Sequence, residues 1–279
     1  MRPPRERIFN VPGVILAAVV VLFAIHGARQ FLSDETNLTL LRLFAFVPGR
    51  FTFSFDPQRI ADAFAAAAGR SRLEGAVARF FLGDGKPLWW TAVTYAFLHA
   101  SWLHVGFNCL WLLAFGAPVA RRFGTARFLV FCLVTAIAGA LAHYLTHIDD
   151  LQPVVGASAV VSGTMAAATR FVFQPGAPLG DRTRDAGREG ESAAFHQPAL
   201  PLLRIFADRR AMTFLAAWFF ANLLFGLAPQ LSGMEGVTIA WQAHIGGFLV
   251  GLLAFPLFDP PAPAVVIAPQ DDASGETLH

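Results

Sequence analysis

Charge is scarce in this sequence: Asp, Glu, Lys and Arg make up 14% of its 279 residues, against 55% hydrophobic residues. That balance excludes a disordered polar chain and is too apolar for an ordinary soluble domain. No cluster of basic residues interleaves with aromatics, so nucleic acid is not an expected partner. Cysteine is nearly absent. The 2 present, Cys109 and Cys132, both fall inside apolar runs and read as buried packing, not as a disulfide or a metal pair. No metal and no cofactor is expected. Acidic residues are missing from the apolar runs around 97–117, 154–173 and 237–257. Their absence leaves no carboxylate there to orient a histidine, and no coupling acid of the kind a transporter carries at its midplane.

What the chain does hold is a series of apolar stretches close to the ~20 residues a spanning helix needs. Six are found, at about 12–32, 97–117, 126–146, 154–173, 212–227 and 237–257. The fold class expected is therefore all-α, a polytopic membrane bundle of six transmembrane helices. The first run follows Arg2, Arg5 and Arg7 and reads as a signal anchor more than as a cleaved signal peptide. Arg121, Arg122 and Arg127 lie between the second and third runs. Arg170, Arg182, Arg184, Arg188, Arg204, Arg209 and Arg210 lie between the fourth and fifth. The positive-inside rule then places both termini in the cytoplasm and the long segment 33–96 outside. Within that segment Phe51, Phe53 and Phe55 alternate with polar residues, the pattern of a short strand or extended piece. Residues 57–82 carry a helical pattern expected to break at Gly69 and Gly75 and to lie at the membrane surface. Trp89 and Trp90 suit the interface. The expected organisation is a cytoplasmic N-terminus (1–11), a membrane domain (12–257) with a flexible cytoplasmic loop at 174–209, and a disordered tail (258–279).

Polar side chains inside apolar helices are costly and tend to face the bundle interior. His104 and Asn108 are four residues apart and share one helix face. His99 lies five residues before His104, a poor spacing for a metal pair on a regular helix. Ser158 follows Gly156 and Ala157. His244 is followed by Gly247 and Gly251, a spacing that lets a neighbouring helix come close. Each has a plain structural reading. Ser162 bonds to its own backbone; Ser158, Ser162 and Ala166 form a packing stripe; His99 pins a loop; His244 bridges two helices; His143 and His147 face the interface. Together, the polar groups on three helices fit acyl transfer: a serine nucleophile, a histidine base, and donors for an oxyanion.

The stretches Thr94-x-x-Phe97-Leu98-His99-x-x-x-x-His104-x-x-x-Asn108, Gly156-Ala157-Ser158 and Ala243-His244-Ile245-Gly246-Gly247-Phe248-Leu249-Val250-Gly251 resemble the rhomboid family of intramembrane serine proteases. The resemblance covers the six-run region. It implies Ser158 as nucleophile and His244 as general base. It implies an oxyanion hole from His104, Asn108 and the Ser158 backbone, with His99, Gly156, Gly247 and Gly251 in support. It also implies a fourth helix that starts below the membrane surface, membrane-anchored protein substrates, and a bacterial inner-membrane setting for so compact a plan. The sequence departs from the family pattern at Ala159 (usually Gly), Ser162 (often aromatic), Thr91 after Trp90 (usually Arg) and Ala120 (often Glu). The alternative is a non-catalytic relative that holds membrane clients.

Overall fold

The computed structural model describes residues 11–177, 179, 194–227 and 240–260. Each apolar run carries a helix. These are α1 (Gly13–Arg29), a continuous stretch from Trp102 to Phe123, α9 (Thr125–Thr146), α10 (Ser158–Thr169), α12 (Arg209–Leu227) and α13 (Trp241–Leu253). The Trp102–Phe123 stretch comprises α7 (Trp102–Trp111), a π-helical turn (Leu112–Gly116) and α8 (Ala117–Phe123). It and α9 have 22 residues each and are apolar enough to cross a bilayer, about 33 Å at 1.5 Å per residue. On α9, Leu129, Val130, Leu133, Leu141 and Leu145 point outward and are exposed. A surface that apolar belongs against lipid tails.

The centre of the bundle is α10, with 12 residues, or roughly 18 Å. It is wedged between α9 and α13, and all of its residues after Ser158 are buried. Small residues permit this. A side chain at Gly247 would collide with the Ala159 carbonyl, and one at Gly251 with the Gly163 backbone. A side chain at Gly163 would come within 2.6 Å of Thr135 on α9. Lipid supplies no hydrophobic drive for helices to associate, so backbone approach and dispersion must hold them. The Gly-x-x-x-Gly expectation is met at the atoms it concerned.

Segment 33–96 differs from two sequence expectations. Residues 48–53 are not extended: they form α3 (Pro48–Phe53), with Pro48 in its first turn, where a fixed φ favours helix entry. The alternation at Phe51, Phe53 and Phe55 was too short to outweigh that signal. Between α4 (Pro57–Arg70) and α5 (Arg72–Leu82) the break falls at Ser71, not at the glycines. Ser71 caps α5 by accepting from the Glu74 N–H at 3.1 Å, and the Ser-x-x-Glu pattern was present in the sequence. Gly75 instead lets α5 close on Ala68 of α4. The α2 helix (Asp34–Phe44) precedes this hairpin. Buried Arg50 ties the unit together, donating to the carbonyls of Phe81 and Arg42, each at 2.6 Å. Burial lowers its guanidinium to about 10, so it stays charged at neutral pH. An antiparallel bridge, Phe46 to Val154, fastens the segment to the strand-like approach to Ser158. A short helix, α6 (Thr91–Thr94), follows Trp90, whose indole donates to the Leu43 carbonyl at 2.8 Å.

At the opposite end, two of the arginines that set the expected orientation are structural. Arg122 makes a forked pair with Asp259, at 2.6 and 2.9 Å, and donates to the carbonyls of Phe195 and Gln197. It lies over the Phe171 and Phe255 rings. Arg170 donates to the Leu200 carbonyl at 2.7 Å, just before α11 (Leu202–Ile205), and to the Leu252 carbonyl at 3.2 Å. So Asp259, which follows α14 (Phe255–Phe258), is held in place, as is the end of the loop at 194–197. Residues 1–10, 178, 180–193 and 261–279, on which the remaining expectations for loop and tail fall, lie outside the described residues.

Arg122→Ala leaves Asp259 and two carbonyls without their partner. We expect a loss on the order of 3 kcal/mol, read as a lower thermal midpoint in detergent, with Arg122→Lys recovering only part because it cannot make the fork. An unchanged midpoint would contradict the structural role. A second comparison tests the helix packing. Gly247→Ala should cost on the order of 2 kcal/mol by overpacking against Ala159, whereas Gly106→Ala, with nothing within 4 Å, should be neutral or stabilise by up to about 1 kcal/mol. Equal effects would mean that the α10–α13 contact is not tight.

Candidate active site

Ser158 is the first residue of α10, and its position follows from the chain just before it. Gly156 has φ +127°, a value L side chains rarely adopt. That turn lets the approach from Val154 swing into the helix. The Gly156 N–H donates to the Tyr95 carbonyl at 3.0 Å, and the Ala157 N–H to His99 Nε2 at 3.4 Å. His99 is fully buried, and its own carbonyl accepts from Arg29 Nη1 at 2.8 Å. The N–H groups of Ser158 and Ala159 sit in the first turn of α10, where no carbonyl of the same helix reaches them. They carry the positive end of the helix dipole.

His104 faces the same space. A methyl group on Gly156 would stand 2.7 Å from His104 Nε2 and 3.8 Å from Ser158 Oγ, so the imidazole and the hydroxyl flank one small volume that glycine leaves open. Ser101 caps α7 by accepting from the His104 N–H at 3.1 Å. The Ala100 N–H points at His104 Nδ1 at 3.5 Å. With Nδ1 accepting, the neutral ring carries its proton on Nε2, the atom aimed at the open volume. Asn108 is buried one turn further on, with its Nδ2 donating to the His104 carbonyl at 3.0 Å.

His244 lies in the first turns of α13, three residues before Gly247. Because Gly247 abuts the Ala159 carbonyl, His244 is brought level with the start of α10. Ala159 is buried, and its methyl lies against Gly139 of α9, so the extra carbon found here is housed in the α9 interface. Ser162 is buried one turn below Ser158. Gly251 contacts Gly163 and serves the packing of α13.

One residue escaped the sequence reading. Asn222, on α12, places its Oδ1 2.5 Å from His244 Nδ1, and its Nδ2 donates to the Trp218 carbonyl at 2.8 Å. The signal was available: an amide inside an apolar run is costly and calls for a partner. Both cysteines are unpaired thiols.

The Rhomboid domain matches residues 86–184 and 192–259, together more than half of the chain. Rhomboid protease GlpG of Yersinia pseudotuberculosis serotype I (strain IP32953) is 29% identical over 164 residues, 59% of this chain and 46% of that protein. The protein of the same name from Yersinia pestis (strain Pestoides F) is 28% identical over 164 residues, with the same coverage of 59% and 46%. That from Enterobacter sp. (strain 638) is 27% identical over 163 residues, 58% of this chain and 46% of the relative. The chain thus spans about half the length of the curated relatives it matches. The domain match runs from the segment before His99 through the whole of α13, and it includes every helix that bears the site; this integral membrane protein belongs to the rhomboid family.

Proposed function

We propose that this protein is an intramembrane serine endopeptidase in which Ser158 is the nucleophile and His244 the general base. The observation that carries the reading is the shared volume at Gly156, flanked by Ser158 Oγ and His104 Nε2 at the open N-terminus of α10. Serine needs a base to take its proton as it attacks, and a neutral imidazole suits that task near pH 7. In the proposed reaction His244 Nε2 accepts the Ser158 proton while Oγ bonds to the scissile carbonyl carbon. The negative charge moves to the carbonyl oxygen, which the Ser158 N–H, His104 Nε2–H and Asn108 stabilise as preorganised donors. His244 then gives its proton to the leaving nitrogen, the C–N bond breaks, and an acyl-enzyme remains on Ser158. Water, with His244 again as base, releases the acyl product and restores the serine.

Substrates on this reading are transmembrane proteins cut in or near a membrane segment, where helix-breaking residues help to free the scissile bond. The same reading takes residues 12–257 as one domain of six spans in a bacterial inner membrane, with both termini cytoplasmic. The short α10, beginning beside the bridge from Phe46 to Val154, is suited to open a watered cavity toward the outside.

Ser158→Ala and His244→Ala should each abolish cleavage of a reporter transmembrane substrate in proteoliposomes, a loss of at least about 1000-fold, at unchanged thermal midpoint. Cleavage by Ser158→Ala equal to wild type would sink the proposal. Clients bound but left intact by the wild-type protein would favour a non-catalytic relative instead.

A further inference from the structure

We infer that Asn222 is a positioning residue for His244, fixing both its ring orientation and the nitrogen that carries the proton. This rests on the proposed role of His244 as base. The geometry of the amide carries the inference. The Trp218 carbonyl can only accept, so the Asn222 group donating to it at 2.8 Å must be the NH2. That choice turns Oδ1 toward His244, 2.5 Å from Nδ1. An amide oxygen can only accept, so Nδ1 must hold the hydrogen and Nε2 must keep its lone pair. Nε2 is the nitrogen that a base acting on Ser158 would use. When it takes the serine proton, the Nδ1–H bond to Asn222 persists, and no second proton moves.

Packing supports the same assignment. Trp218 stacks on Phe248 with ring centroids 4.2 Å apart and planes 20° from parallel. Trp218 and Asn222 are one turn apart on α12, as Phe248 and His244 are on α13. The two antiparallel helices are therefore joined by two rungs, one aromatic and one polar. The aromatic rung sets the height at which the amide meets the imidazole. Position 162, one turn below Ser158, holds a small serine, and the His244 ring is steadied by the hydrogen bond it donates to Asn222 on the neighbouring helix.

The experiment compares Asn222→Leu, Asn222→Asp, Ser158→Ala and wild type for reporter cleavage in proteoliposomes, with kcat and KM measured separately and folding followed by thermal midpoint. Asn222→Leu should lower kcat by about 100-fold with KM within about twofold. Asn222→Asp, which keeps an acceptor for Nδ1–H, should recover most of that loss. A residue that merely fills space would give the opposite order, since leucine packs better than a buried carboxylate. Should Asn222→Leu fail to fold, Asn222→Ala makes the same deletion. Wild-type kcat in the folded deletion variant, or Asp no better than Leu, overturns the inference while Ser158→Ala remains inactive. If Ser158→Ala cleaves normally, the protease reading falls and the role of Asn222 falls with it.

Discussion

The Ala159 carbonyl lies directly against the α-carbon of Gly247, and the geometry of the site depends on that contact. Two helices that meet backbone to backbone leave no room for a side chain and little for sliding. The contact is repeated one turn on by Gly163 and Gly251, so α10 and α13 are fixed in register as well as in distance. Ser158 precedes the first contact on one helix, and His244 stands one turn above it on the other. In an aqueous core, apolar burial would drive such packing. Between helices in a bilayer that drive is missing, and close approach has to supply the attraction. Glycine is therefore the residue that the packing of α10 on α13 requires at these positions.

Around this pair the protein spends buried cations on order. Arg50 beside α3 and Arg122 with Arg170 at the opposite end of the bundle are each almost fully buried; Arg50 and Arg170 donate to main-chain carbonyls, and Arg122 divides its donors between the Asp259 carboxylate and two carbonyls. Guanidinium groups suit this work because their donors fan out in a plane and stack on rings. Arg50 joins the end of α2 and the end of α5 to α3. Arg122 locks the end of α8 to the chain that follows α13. Arg122 and Arg170 therefore act in packing.

Much of this was legible in the sequence. The helices could be read from the apolar runs, and the close approach of α13 from Gly247 and Gly251. The shared face of His104 and Asn108 followed from a spacing of four. What was missed shares a cause. Asn222 meets His244, Arg122 meets Asp259, and Thr52 meets Tyr144 and the Ile148 carbonyl across long stretches of chain, and no local pattern encodes which distant group a polar side chain will find. At α3 the local pattern and the structure differ for another reason. A five-residue alternation competed with a helix-starting proline, and the buried Arg50 settled the matter through partners at residues 42 and 81. Ala159 departs from the family pattern, and Gly139, which houses its methyl, lies on another helix.

The central claim is that this packing assembles a reactive serine. The most direct measurement is mass-spectrometric mapping of the wild-type protein after treatment in detergent with a fluorophosphonate. The proposed site predicts modification at Ser158, whose hydroxyl would have both a base and oxyanion donors at hand. Modification at another serine, or none under conditions where the protein remains folded, would contradict it.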